Sequence, residues 1–189
     1  MKYGKQRSEI ISLGQLLWDK DLVSGWNGNI SVRLNDKYLL MTGRGTCLGR
    51  LSPKDMVVVG IDGRVVGGGE PTSEKQLHFD IYRNLPKVEA VVHTHTPCIN
   101  AFFLNNRRFT PKTFEAEYVL GEVFGIEQSS VNVTDTAPVV KALQTNTIVA
   151  LRRHGVVAVG NRLFDCLARI QVLEEQLWME ALSKIFDRK

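Results

Sequence analysis

The stretch EAVVHTHTP (89–97) decides how the chain is read. A short apolar run rich in valine leads into two histidines and stops at a proline. Its length and β-branched content predict a strand buried in a sheet rather than an amphipathic helix. Strand side chains alternate, so His93 and His95 project from one face. Two imidazoles on one face are a common start for a zinc-like site, and they are equally two histidines hydrogen-bonded to one another. The pair alone leaves both readings open.

The segment TIVALRRHGVVAV (147–159) contains a second and a third strand, Thr147–Leu151 and Val156–Val159, joined at Arg152-Arg153-His154-Gly155. Further strands are predicted after the turn-rich SGWNGNISV (24–32), at Tyr38–Met41 and at Met56–Ile61, with Asp62-Gly63 as a hairpin turn. Helices are predicted over residues 6–23, from Thr72 or Ser73 as cap through 84, from Pro97 onward, from about Thr136 with Pro138 in the first turn, and from Leu163 to Phe186. The mixture predicts one domain over residues 1–189. Its expected architecture is an α/β three-layer sandwich with a central, mostly antiparallel β-sheet flanked by helices.

Composition narrows the function classes. The 189 residues are 43% hydrophobic and 23% charged, an ordinary globular balance. No apolar run reaches the roughly 18–20 residues that span a bilayer, and MKYGKQRSEI lacks the apolar core of a signal peptide. Cys47, Cys98 and Cys166 are odd in number and form no CxxC pair, so a reducing, cytoplasmic setting is expected. A net charge of +4, without any aromatic and basic recognition motif, gives no sign of a nucleic-acid or membrane partner and suits an anionic small substrate.

The chain has four histidines, His78, His93, His95 and His154. His154 lies between two apolar strands and is followed by Gly155, which permits close approach. Alone it reads as a satisfied core residue; as the third of a His set it becomes a credible ligand that completes a catalytic zinc arrangement. Glu74 falls in the first turn of a predicted helix, where it is either a favourable charge on the helix dipole or a metal ligand or base. His78, one turn on, reads as an ordinary helix residue. Gly28-Asn29, Thr42-Gly43 and Thr72-Ser73 each pair backbone amides with a small polar side chain, as phosphate loops and common turns both do. TGRGTCLG (42–49) is neither a P-loop nor a dinucleotide fingerprint.

In this order, GNIS (28–31), TG (42–43), SPKD (52–55), EPTSEKQLH (70–78), AVVHTHTP (90–97) and LRRHGVVAVG (151–160) resemble the class II aldolase family. That family includes L-fuculose-phosphate aldolase and L-ribulose-5-phosphate 4-epimerase. The resemblance implies a C4 homotetramer and a zinc ion held by His93, His95 and His154. It also implies Glu74 as acid/base beside the metal. Gly28, Asn29, Thr42, Gly43, Thr72 and Ser73 would hold the phosphate of a small sugar substrate. Imidazole ligands also suit other divalent transition metals. The implied reaction is cleavage of a phosphorylated ketose, such as L-fuculose 1-phosphate, to dihydroxyacetone phosphate and an aldehyde. The alternatives are a sugar-phosphate 4-epimerase and a methylthioribulose-phosphate-type dehydratase. A glutamate at position 74 favours the aldolase branch. In FEAEYVLGE (114–122), Glu117 and Tyr118 fall where different branches place a second acid/base. The adducin head domain shares the fold without activity, but has no reason to keep three histidines and Glu74.

Overall fold

Runs of Val, Ile and Leu bounded by turns form strands, and those at the centre of the sheet are buried on both faces. In the computed structural model, which describes residues 2–186, the first elements are helix α1 (Gly4–Asp19), strands β1 (Asn29–Arg33), β2 (Tyr38–Thr42), β3 (Met56–Gly60) and β4 (Val65–Gly67), and helix α2 (Lys75–Asn84). Strand β5 (Ala90–Thr94), α3 (Pro97–Asn105), β6 (Arg108–Phe109), α4 (Phe114–Leu120) and β7 (Val123–Ile126) follow. The chain then forms α5 (Ala137–Leu143), β8 (Ile148–Leu151), β9 (Gly155–Gly160) and the long α6 (Leu163–Phe186).

Among the described residues, nine strands make one sheet in the order β4-β3-β2-β1-β5-β9-β8-β7-β6. Every neighbouring pair is antiparallel except β7 with β8, so the mostly antiparallel sheet expected from the sequence is present. Side-chain alternation sorts the core into two layers. Ile30, Val92, Ala150 and Ala158 pack against α1, α3, α4 and α6 on one face. Val57, Val91, Val149 and Val157 pack against α2 and α5 on the other. This is the α/β three-layer sandwich.

Three expectations shift in detail. Helix α1 stops at Asp19 rather than residue 23, because Asp21 adopts a left-handed backbone (φ 55°) and Leu22 N–H returns to Leu17 O. Leu22 and Val23 are buried all the same, so the apolar pattern outlasts the helix. Helix α2 starts at Lys75, with Glu74 at its cap position rather than inside its first turn. Thr72 still serves that end, its Oγ1 accepting a hydrogen bond from Glu74 N–H. Strands β4, β6 and β7 have no counterpart in the sequence reading: two are only two or three residues long, and β7 carries a glycine.

Candidate functional site

The register of the central strands brings the chemistry together. Asn29 of β1 lies directly opposite His93 of β5, and His93 lies opposite Val157 of β9. Asn29, Ser31, Val91 and His93 therefore share the sheet face that α2 covers. His95 follows just beyond β5. The tight turn between β8 and β9 delivers His154, with Arg153 in a left-handed conformation (φ 62°) and His154 N–H bonded to Leu151 O. Glu74 comes in from the start of α2.

These four side chains meet at one point. His93 Nε2 lies 2.8 Å from His95 Nε2 and 3.1 Å from His154 Nε2. The Glu74 carboxylate spans the group, with Oε2 3.1 Å from His93 Nε2 and Oε1 2.9 Å from His154 Nε2. One ligand atom from each of Glu74, His93, His95 and His154 lies within 4.8 Å of all the others, an arrangement that could hold a metal ion. Glu74, His93 and His154 are buried and His95 is half-buried.

Hydrogen bonding agrees with a cation at this point. His93 Nδ1 donates to Val156 O at 2.9 Å, and a carbonyl can only accept. The proton of a neutral His93 is therefore on Nδ1, and its Nε2 lone pair faces two other imidazole nitrogens and a carboxylate. Glu74 Oε1 is buried and receives no hydrogen bond in good alignment. Acceptors gathered this way repel one another unless a positive charge sits among them. Burial alone would raise the Glu74 pKa. Positive charge and N–H donation at His93 and His154 outweigh that and hold the carboxyl well below the usual range, the part that a cation among the four would play. Burial, with His93 and His154 nearby, lowers His95 to about 3 and keeps it neutral, as a ligand must be.

The cluster lies at the base of a cleft of about 220 Å³. Gly28, Asn29, Gly43, Thr72 and Ser73 line it, which brings five of the six phosphate-loop residues together. Gly28 (φ 81°) turns the chain into β1, where a Cβ would stand 3.0 Å from His93 O. Thr42 does not line the cleft. It is almost fully buried, and its Oγ1 accepts from Ile30 N–H at 3.2 Å, fixing the β1–β2 end. The amides of Gly43 and Thr72 are bonded to Asp55 O and Thr42 O, so those loops offer side chains and shape more than free N–H groups.

Glu117 and Tyr118 stand apart. Both are exposed on α4, Tyr118 at 92%, and neither lines this chain's cleft. Arg44, Trp26 and Asn132 do line it, and sequence reasoning missed them. Arg44 is the only Lys or Arg in that lining among the described residues, and it is paired with Glu70 at 3.0 Å. Its place between Gly43 and Gly45 was the available signal.

Residues 8–180 match the class II aldolase and adducin N-terminal domain family. The chain belongs to that family. The class II aldolase fold is shared with L-fuculose-1-phosphate aldolase from Thermus thermophilus, at TM-score 0.86 and 27% identity over 95% of this chain and 94% of that one. In sequence, the class II aldolase relatives include an L-fuculose phosphate aldolase of Methanococcus vannielii, 33% identical over 95% of this chain and 98% of the relative. They also include a 3-oxo-tetronate 4-phosphate decarboxylase of Haemophilus influenzae, 29% identical over 90% of this chain and 84% of the relative. Class II aldolases use a divalent metal, and the Glu74, His93, His95 and His154 cluster is where this one could hold it. No helix among the described residues is long and apolar enough to cross a membrane.

Proposed function

We propose that this protein is a zinc-dependent class II aldolase. It would cleave a phosphorylated ketose, such as L-fuculose 1-phosphate, to dihydroxyacetone phosphate and an aldehyde. The observation that carries this reading is a buried carboxylate set among three imidazoles at the base of a cleft. Three imidazoles and one carboxylate are a donor set suited to Zn²⁺. Neutral imidazoles leave the ion's charge undiminished, and a bound ion supplies Lewis acidity to the oxygens of a substrate carbonyl and hydroxyl.

The protein's own residues account for the rest. Aldol cleavage breaks the bond between the carbon next to the carbonyl and the carbinol carbon. The electron pair moves to the ketone fragment, and the hydroxyl proton passes to a second acid/base as the aldehyde forms. Glu74 Oε1 has no competing donor and is the group that moves a proton to or from the fragment's carbon. Ser73 and Arg44 at the cleft rim offer a hydroxyl and a positive charge to the phosphate, with Gly28, Asn29, Gly43 and Thr72 shaping the loops around it and Thr42 bracing the β1–β2 end behind them. Tyr118 and Glu117 are candidates for the second acid/base only if presented to a neighbouring copy's cleft. Their exposure on α4 supports that role in a homotetramer.

A second reading draws on the decarboxylase relatives. Loss of CO₂ from a 3-oxo acid leaves the same kind of carbanion beside a carbonyl, and the same metal and carboxylate would serve it. The test is triose phosphate and CO₂ release from a panel of ketose 1-phosphates and phosphorylated 3-oxo sugar acids, with zinc-loaded and chelator-treated protein. Zinc-dependent triose phosphate release supports the aldolase. Release of CO₂ alone replaces it with the decarboxylase. Neither product would move the reading to epimerase or dehydratase chemistry.

A further inference from the structure

A row of polar side chains runs inward from Glu74 between α2 and the sheet. Glu74, His78 and Tyr82 are spaced by four and lie on one face of the helix, and Asn29 and Ser31 are spaced by two and lie on one face of the strand. The two sets interdigitate. Asn29 Nδ2 is 2.8 Å from Glu74 Oε2, and Asn29 Oδ1 is 2.5 Å from His78 Nε2. His78 Nδ1 is 2.6 Å from Ser31 Oγ, which is 3.0 Å from the Tyr82 hydroxyl. All five residues are buried, with His78 and Ser31 at 0% exposure.

The direction of every bond in the row follows from its outer end. The Asn29 amide turns its Nδ2 to Glu74 Oε2 and donates to it. Asn29 Oδ1 then faces His78 and only accepts, which places the His78 proton on Nε2. His78 Nδ1 is left as an acceptor and takes the Ser31 hydroxyl proton. Ser31 Oγ in turn accepts from Tyr82. Burial holds His78 neutral, with its pKa lowered to about 4, consistent with a single ring proton.

We propose that Ser31, His78 and Asn29 form a positioning relay that ties down Glu74 Oε2 and leaves Oε1 free for the metal and the substrate. The Glu74–Asn29 bond fixes the amide, the amide fixes the His78 tautomer, and Ser31 completes the row by donating to the remaining Nδ1. The wrong tautomer would set a bare Nε2 against Asn29 Oδ1, rotate the amide, and turn its oxygen toward the carboxylate. None of the three is a catalytic residue. They act through Glu74. Tyr82 lies at the end of the row, and Ser31 can still donate to His78 without it.

The kinetic arm of the test rests on the proposed lyase reading, whereas the other two need no substrate. ¹⁵N NMR of histidine-labelled protein should show His78 as the Nε2–H tautomer in the wild type, and a shifted Nδ1 resonance in Ser31→Ala, where that nitrogen loses its donor. Cobalt(II) loading should give an altered ligand-field spectrum in Ser31→Ala and His78→Phe, and one close to wild type in His78→Gln, whose amide can still donate to Asn29. With a substrate in hand, Ser31→Ala should lower kcat about 10-fold or more with little change in KM. Tyr82→Phe should lower the Tm yet leave kcat and the cobalt spectrum within twofold and unshifted, which separates the relay from mere core stability. An Nδ1–H or doubly protonated His78 in the wild type would overturn the proposal. So would a Ser31→Ala protein with wild-type Nδ1 resonance and cobalt spectrum. A protein that passes both but turns over no sugar phosphate fails the lyase reading and not the relay.

Discussion

Gly155 lies so close to His93 that a Cβ on it would stand 2.9 Å from Cε1 of that ring and would overlap the carbonyl of Thr94. The same Cβ would lie 3.0 Å from His95 Cδ2. Gly155→Ala must therefore displace backbone and two imidazoles at once. Expected outcomes are a stability loss of about 1–3 kcal/mol, from overpacking, and weaker metal binding. Denaturant unfolding of the chelator-treated protein reads the first and zinc titration reads the second. Wild-type metal affinity in this variant would mean that the histidines adjust without cost.

Glu74→Gln keeps the shape and a carbonyl that can still accept from Asn29, but it cannot exchange a proton. The kcat should fall by roughly 10²–10⁴-fold, the usual effect of losing a general acid/base, with the Tm of the chelator-treated protein within a few degrees of wild type. Steady-state kinetics beside a thermal melt decide it. Activity retained within a few-fold would remove Glu74 from the proton transfer.

Zinc added to the chelator-treated protein should raise the Tm in a concentration-dependent way, by the equivalent of about 2.7 kcal/mol at a hundred times Kd. His154→Ala should lose most of that rise. An equal rise in wild type and His154→Ala would place the zinc elsewhere.

The stability of the chelator-treated protein should fall on mild acidification. His78 ordinarily titrates near 6.5 and is held at about 4 by burial. Below about 6.5 the unfolded chain takes up a proton that the folded chain refuses until about pH 4, so stability is full above 6.5 and is lost through that window. The slope is about 1.4 kcal/mol per pH unit for this one group. His95, lowered to about 3, adds in the same direction. Urea midpoints between pH 7.5 and 5 measure the slope, and His78→Gln should make it shallower. A flat or rising profile would contradict the burial of a neutral His78.

Much of this was legible in the sequence for identifiable reasons. The β-branched runs at 90–92 and 148–151 carry enough local preference to mark strands, and Pro97 and Pro138 mark helix starts. The His-x-His pair on one strand face led to the cluster because period-two alternation is a local property. His154 was readable only as the third of a His set, and Glu74 needed the resemblance, since contacts across the fold bring both in. The relay was hidden for another reason. The spacing of Glu74, His78 and Tyr82 was visible, but nothing local reveals that the face of α2 they share meets Asn29 and Ser31. Thr42 shows the converse: a threonine beside a glycine matched a phosphate loop, while its hydroxyl is engaged by the Ile30 amide.

The order of strands β1, β5 and β9 in the middle of the sheet has a bearing on folding. His93 and His154 are 61 residues apart along the chain, and Asn29 and Glu74 are 45 apart. No short fragment contains the cluster, and loop closure over such separations is among the slower steps of folding. A metal that binds only the assembled cluster thus reports the arrival of the last long-range strand pairings. During renaturation its signal should trail the far-ultraviolet signature of the helices, so the cluster doubles as a clock for the completion of the fold.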